Sequence, residues 1–144
     1  MTQASTLPLS GTIRLHHGTS ERFERFSLEF AARPGMSGNG HIGVWLAVQR
    51  SLAESFGKTC LDVDVQVEKP YIMPLQELSR LNDKVGRLTR ELANDAEVAA
   101  MERRFYTAFR MELLILGHDI IYLQETDGRI EMAIGLVPAK LTIQ

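Results

Sequence analysis

The order of elements in this 144-residue chain predicts an α+β fold, with strands first, then helices, then strands again. Residues 60–69 alternate apolar and polar side chains, as a half-buried strand does. Residues 95–116 carry apolar side chains at helical spacing. A turn-like composition at 126–129 then separates two apolar runs, which predicts a closing hairpin.

The N-terminal part is expected to be a flexible lead-in, residues 1–11, before a single domain at residues 12–144. A first strand is predicted at 12–16, where it ends in a histidine–glycine turn. A helical turn at 21–26 and a second strand at 27–31 should follow.

A glycine-rich segment, residues 37–57, organises the middle of the chain. Gly38, Gly40 and Gly43 precede the apolar run Val44–Ala47, which predicts a turn that leads into a short buried strand. The helix after this strand is expected to end at Gly57 in a left-handed cap. Trp45 and Phe56 would then share one concavity, although both residue types are also common in ordinary cores.

The second half of the chain reads as two helices followed by strands. Prolines 70 and 74 are expected to close the strand at 60–69. The elements predicted after them are helices at 75–93 and 95–116, with Asp95 as N-cap and Gly117 as C-cap, and strands at 119–124, 130–134 and 136–143.

Composition limits the possible functions. The net charge of −2 does not indicate nucleic acid as a partner. With Cys60 as the single cysteine, an internal disulfide is excluded, and no histidine spacing predicts a zinc site with it. The N-terminus lacks the pattern of a signal peptide, and no apolar stretch is long enough to span a membrane. We therefore expect a cytoplasmic protein without a metal.

Separate motifs in this chain resemble one family, the ADP-ribosyltransferases of the diphtheria-toxin and poly(ADP-ribose) polymerase class. The segment 15–19, Leu-His-His-Gly-Thr, is similar to that family's His-Gly-Ser/Thr. Segments 43–57 and 131–134 resemble its Gly-Ile-Tyr-Phe-Ala strand and its Glu-Tyr-Ile-Val strand. Segments 63–70 and 116–122 are similar to small phage and bacterial members. The resemblance implies a split pair of β-sheets with flanking helices.

The resemblance also implies the chemistry: NAD is the co-substrate, and ADP-ribose is transferred to a protein acceptor. Glu131 would be the catalytic carboxylate, which binds the nicotinamide ribose and stabilises the developing cation. The residues that would bind NAD are His17 at the adenosine-side ribose, the Gly18 backbone at the carboxamide, Thr19 beside them, and Trp45 and Phe56 around the nicotinamide ring.

Several departures from the family leave alternatives open. Trp45 and Phe56 stand where tyrosines are usual, and Glu131 could instead lie on a solvent face, with Glu125 as the competing acid. Arg129 stands where arginine-directed toxins carry Glu or Gln, which disfavours arginine modification. The alternatives are an NAD glycohydrolase, an inactive binding protein that keeps this fold, and an unrelated interaction protein that uses the helix at 95–116.

Overall fold

The computed structural model describes residues 7–27 and 38–144, and within them it is an α+β structure, as predicted. The helices are α1 (Arg50–Glu54), α2 (Leu75–Thr89) and α3 (Asp95–Ile115), with 3-10 turns at Gly38–Ile42 and Pro138–Lys140. The strands are β1 (Gly11–Thr19), β2 (Val44–Ala47), β3 (Thr59–Val67), β4 (Pro70–Pro74), β5 (Ile120–Gln124), β6 (Ile130–Gly135) and β7 (Leu141–Ile143). Within the described ranges, no helix has the length and apolar content that a membrane crossing requires.

The strands hydrogen-bond into one seven-stranded sheet with the order β4-β5-β6-β2-β1-β3-β7. Only β4 and β5 are parallel, and the other neighbours are antiparallel. The predicted pair of separate sheets is therefore replaced by one sheet. Its central joint is narrow, however, because β1 and β2 share the single ladder pair His16↔Ala47, whereas β1 pairs with β3 from Gly11↔Val67 to Thr19↔Thr59.

This narrow joint divides the sheet into two halves, which we call the helix-bearing half (β4, β5, β6, β2) and the terminal half (β1, β3, β7). One buried cluster takes residues from both halves, such as Leu15 and Val63 from one and Leu46 and Tyr122 from the other. Among the described residues, no helix contributes a buried side chain to it. The inner faces of the two halves therefore pack against each other.

A second buried cluster lies on the outer face of the helix-bearing half, beneath α2 and α3. Met73 and Ile134 come from the sheet, and Leu78, Val85 and Tyr106 come from the two helices. The Tyr106 hydroxyl donates to Asn82 Oδ1 at 2.6 Å, so its polar end is satisfied where α2 and α3 meet. The α3 helix is thus part of the packed core.

The ends of the helices differ in part from the sequence expectation. Gly117 has a φ of +91°, which confirms a left-handed residue after α3. The N-cap of α3 is Asn94 rather than Asp95, because the Asn94 side chain accepts from the Glu97 N–H at 2.9 Å. Gly57 is not left-handed; α1 ends earlier, and a Cβ at Gly57 would lie 2.4 Å from the Thr19 carbonyl carbon.

Two predicted elements and one unpredicted strand complete the comparison. The helical turn expected at 21–26 is wrong, since these residues have no regular structure. The strand expected at 27–31 falls almost wholly outside the described residues. Strand β4, Pro70–Pro74, was not predicted, because its two prolines indicate an end of regular structure; both are tolerated because β4 is an edge strand.

The described part of the predicted lead-in is attached to the domain. Leu7 packs on the inner cluster, and the buried Tyr122 donates its hydroxyl to the Pro8 carbonyl at 2.6 Å. This contact links the residues just before β1 to β5 of the other half.

A buried carboxylate, Asp119, joins the ends of several strands at what we call the Asp119 junction. The side chain is 4% exposed and accepts from the Glu68 N–H at 2.7 Å, the Lys69 N–H at 3.1 Å and Lys140 Nζ at 3.0 Å. Its carbonyl accepts from the Leu136 N–H at 3.0 Å. Burial acts to raise the pKa of Asp119, but these hydrogen bonds outweigh it and hold the pKa below its ordinary value.

Candidate functional site

The two halves of the sheet separate immediately beyond the pair His16↔Ala47, and we call this place the sheet opening. It is formed by residues 17–19 of β1 and residues 44–45 of β2, between which no further ladder pair exists. A side chain bridges the gap instead, because His17 Nδ1 lies 2.7 Å from the Trp45 carbonyl oxygen. The opening therefore has backbone edges that are not used by the sheet itself.

His17 points to the inner face of the sheet, beside two phenylalanines. Its ring meets those of Phe23 and Phe26 edge-on, with centroids 5.9 Å and 5.1 Å away. Because a carbonyl oxygen can only accept, Nδ1 carries the proton of the neutral ring, and Nε2 is an acceptor. Burial lowers the pKa of His17, although the Trp45 hydrogen bond opposes this, so the neutral form is favoured.

Gly18 is required by the close approach of α1. A Cβ at this position would lie 1.8 Å from the Ala53 carbonyl oxygen and 3.2 Å from Phe56 Cβ. Alternate residues of an antiparallel strand direct their carbonyls to the same neighbour, so Trp45 and Ala47 both face β1. Since Ala47 pairs with His16, the backbone of Gly18 faces β2 across the sheet opening.

The aromatic sandwich predicted for Trp45 and Phe56 is not formed. The Trp45 side chain packs against the outer cluster, and its Nε1–H donates to the Asn39 carbonyl at 3.2 Å. It therefore lies on the opposite face of the sheet from the His17 ring. Phe56 follows α1 and is 63% exposed. Within residues 7–27 and 38–144, the two rings make no contact.

Glu131 lies at an irregularity of β6. Leu123 pairs with Met132 and Gln124 pairs with Ile130, so Glu131 is the extra residue of a β-bulge. Bulges change the direction of a side chain and are frequent next to active sites. The carboxylate is 41% exposed, and its Oε1 lies 3.1 Å from an Arg129 Nη.

The register of three adjacent strands relates His17 to Glu131. The row of His16 continues through Ala47 to Met132. On β1, His17 lies one residue to one side of this row. On β6, Glu131 lies one residue to the opposite side of it. With strands about 4.8 Å apart and about 3.4 Å per residue, their Cα atoms are about 12 Å apart.

Thr19 and Glu125, which were also predicted as site residues, make hydrogen bonds with the backbone of turns. The Thr19 hydroxyl accepts from the Glu21 N–H at 3.3 Å, which turns the chain after β1. Glu125, the competing acid, is in the hairpin before β6, where its N–H donates to the Arg129 carbonyl at 2.8 Å. The structure thus brings His17, Gly18 and Thr19 together beside Trp45, with Glu131 two strands away and Phe56 at the surface.

A cluster that sequence reasoning missed lies on the outer face of the terminal half. His16 pairs with Asp62 across β1 and β3, and His16 Nδ1 is 2.9 Å from Asp62 Oδ1. Cys60 lies two residues before Asp62 on the same face, and one ligand atom from each of the three lies within 4.8 Å of the others. Linear spacing gives no sign of this cluster, because strand register brings together residues that are distant in the sequence. The expectation that the protein has no metal stays a prediction.

Comparison with known proteins gives one distant structural similarity. No family model and no curated protein matches the chain. The crystal structure of an anti-CRISPR protein is similar to it, with a TM-score of 0.47 and 16% sequence identity, over 95% of this chain and 98% of that chain.

Proposed function

We propose that this protein binds NAD at the sheet opening, cleaves its nicotinamide–ribose bond and transfers ADP-ribose to a protein acceptor. The single observation that carries the proposal is the relation of His17 to Glu131, about 12 Å apart on strands that flank β2. Two of the motifs that resemble ADP-ribosyltransferases thus lie on the two strands next to β2, with His17 at the sheet opening and Glu131 beyond the row of His16 and Ala47, and this proximity supports a shared role.

His17 supports the proposal through its fixed tautomer. Its Nδ1–H is used by the Trp45 carbonyl, so Nε2 can accept a hydrogen bond from a ribose hydroxyl. Because burial lowers its pKa, the ring stays neutral and keeps this acceptor near pH 7. The Gly18 backbone, which faces β2, has an N–H and a C=O that suit the carboxamide of nicotinamide.

Glu131 supplies a negative charge where the ribose develops positive charge. Loss of nicotinamide leaves an oxocarbenium-like transition state, which a carboxylate stabilises more than it stabilises the substrate. The bulge at Glu131 turns the side chain out of the regular ladder, and its partial exposure keeps it accessible. Water as the acceptor would give an NAD glycohydrolase by the same steps.

The test of turnover is nicotinamide release from NAD by the purified protein, with and without a cell lysate as a source of acceptors. Glu131→Gln should lower the rate about a hundredfold, or about 2.7 kcal/mol of barrier, and leave NAD binding nearly unchanged. Glu125→Gln is the matched control, because it makes the same change six residues earlier. Equal rates for wild type and Glu131→Gln would contradict the proposal.

Trp45 provides an independent test of binding. The chain has one tryptophan, so quenching of its fluorescence by NAD reports on this part of the molecule. Because the Trp45 ring packs on the opposite face of the sheet from His17, it has to turn before it can stack on a ligand bound beside His17. Trp45→Ala tests for this turn: a loss of about 1–3 kcal/mol of NAD binding shows that the ring acts as an aromatic platform, and an unchanged affinity shows that it does not. Phe56→Ala is the companion variant: since this ring is exposed, the comparison shows whether it closes over the ligand. Absence of quenching by NAD would count against the site.

A second candidate is an inactive protein that binds NAD without turnover, and the ion pair of Glu131 favours it. Arg129 holds the carboxylate at 3.1 Å and also pairs with Asp127 at 2.7 Å. If this pair persists when NAD binds, the charge on Glu131 is neutralised. Arg129→Gln separates the two candidates: turnover that rises on removal of Arg129 favours the enzyme, and binding without release in either form favours the binding protein.

A further inference from the structure

The outer face of β1 and β3 carries a histidine, a cysteine and an aspartate in one place. His16 and Asp62 are direct register partners, and Cys60 is the next residue of β3 on the same face. All three are partly buried, and their nearest ligand atoms lie within 4.8 Å of one another. The His16 side chain is 18% exposed, which is less than any other side chain in the ion pairs of this cluster.

The backbone beneath this cluster is well fixed. Strand β3 is paired with β1 over nine residues, and this ladder includes His16, Cys60 and Asp62. The positions of the three Cβ atoms are therefore set by the sheet, and only side-chain rotations remain. A metal site needs ligand side chains that the backbone already holds in position.

The distances are close to those of a coordination sphere. Bond lengths of about 2.0–2.3 Å place the ligand atoms of a tetrahedral zinc about 3.3–3.8 Å apart. His16 Nδ1 and Asp62 Oδ1 are already 2.9 Å apart. A small rotation of Cys60 Sγ, which is within 4.8 Å of both, completes a three-ligand set.

We propose that His16, Cys60 and Asp62 bind a zinc ion, with the fourth position open to water or another ligand. The combination of imidazole, thiolate and one carboxylate favours zinc and similar transition metals, and disfavours Mg²⁺ and Ca²⁺, which require mainly oxygen ligands. When the ion binds, the Cys60 thiol loses its proton to solvent and coordinates as thiolate. His16 Nδ1 likewise gives up the proton that it donates to the Asp62 carboxylate, and Nε2 carries the ring proton instead, so that Nδ1 can bind the ion.

Arg50 competes with the metal for one ligand. Its Nη1 lies 2.9 Å from Asp62 Oδ1, and its Nε pairs with Glu54 at 3.2 Å. The guanidinium side chain is 53% exposed, so it can turn into solvent when a cation takes its place. Arg50→Gln removes this competition and the like charge, and should tighten zinc binding about tenfold.

The test is zinc binding by the demetallated full-length protein, in competition with a chromophoric chelator. One zinc ion per chain is expected, and Co²⁺ in the same site should give a thiolate-to-cobalt charge-transfer band in the near ultraviolet. Cys60→Ser and Asp62→Asn should weaken binding by more than about a hundredfold, beyond the effect of losing an outer hydrogen-bond partner. Cys60→Ser should also abolish the cobalt band.

The matched control is Asp64→Asn, which changes a carboxylate two residues along β3 that pairs with Arg14. It should bind zinc as wild type does, and thermal melting of each variant shows that it is folded. A wild type that takes up no zinc, or no charge-transfer band with cobalt, would overturn the proposal. So would a loss in Asp64→Asn equal to that in Asp62→Asn, since binding would then be nonspecific.

Discussion

The Asp119 junction and the sheet opening are both places where strands end, but they differ in how far their polar groups are hydrogen-bonded. At the junction, two backbone N–H groups and Lys140 converge on one carboxylate that is 4% exposed. At the opening, β1 and β2 share one ladder pair, and no residue in the ranges 7–27 and 38–144 donates a hydrogen bond to His17 Nε2. Saturated polar groups stabilise a fold, whereas unused ones are available to a ligand. The comparison therefore separates a structural region from a candidate binding region.

The largest expected effect is on the junction. Asp119→Ala leaves two partly buried N–H groups without their acceptor and leaves Lys140 with only the exposed Glu68 as partner, which should lower the free energy of unfolding by about 3–5 kcal/mol. Urea denaturation followed by circular dichroism measures it. Asp64→Ala, which removes the half-buried partner of the exposed Arg14, should cost far less. If the two variants lose similar stability, the junction has no special role.

A smaller effect is expected at the opening, from Gly18→Ala. The added Cβ would lie 1.8 Å from the Ala53 carbonyl oxygen, so α1 must move away from β1. We expect a loss of about 1–3 kcal/mol of stability, as in other overpacked sites, together with weaker NAD binding. Gly86→Ala is the control: that glycine lies within α2 with open space around it, and its replacement should stabilise by up to about 1 kcal/mol. An unchanged melting temperature for Gly18→Ala would contradict this packing.

The smallest effect concerns pH and His17. Because burial lowers its folded-state pKa, the unfolded chain binds this proton first as pH falls. The contribution of His17 should be complete above its unfolded pKa of about 6.5 and should decline below it. His17→Gln should flatten the pH dependence of stability in this window. His41→Gln must be measured beside it, since burial and Arg103 lower the pKa of His41 also. Parallel slopes for wild type and His17→Gln would exclude the assignment.

The sequence predicted most strands because their alternation is local. The pattern of Leu61 to Val67 requires one buried face whatever the partner strand is. The prediction from sequence failed at β4, because Pro70 and Pro74 indicate an end of regular structure, whereas an edge strand tolerates both prolines. The fold class is thus readable from the sequence, and the position of edge strands is not.

The candidate site was less predictable, since it depends on register and on which face a side chain takes. The turn expected at His17 and Gly18 is wrong, because β1 continues through both residues to Thr19. The Trp45 ring lies on the other face of the sheet from His17. The contact between His16 and Asp62 depends on β1–β3 register, for which no local pattern exists. Whether Phe56 contacts Trp45 depends on where α1 ends, and helix ends are poorly fixed by sequence.

The parallel pairing of β4 with β5 has a consequence for how the chain assembles. Both α2 and α3 lie between these two strands in sequence, so the pair cannot form until the intervening helices have folded back. The terminal strand β7 likewise has to find β3 across most of the chain. Closure of such long loops is costly in entropy before any contact compensates for it. The helix-bearing half should therefore condense late and slowly, with α2 and α3 already docked on each other when β5 meets β4.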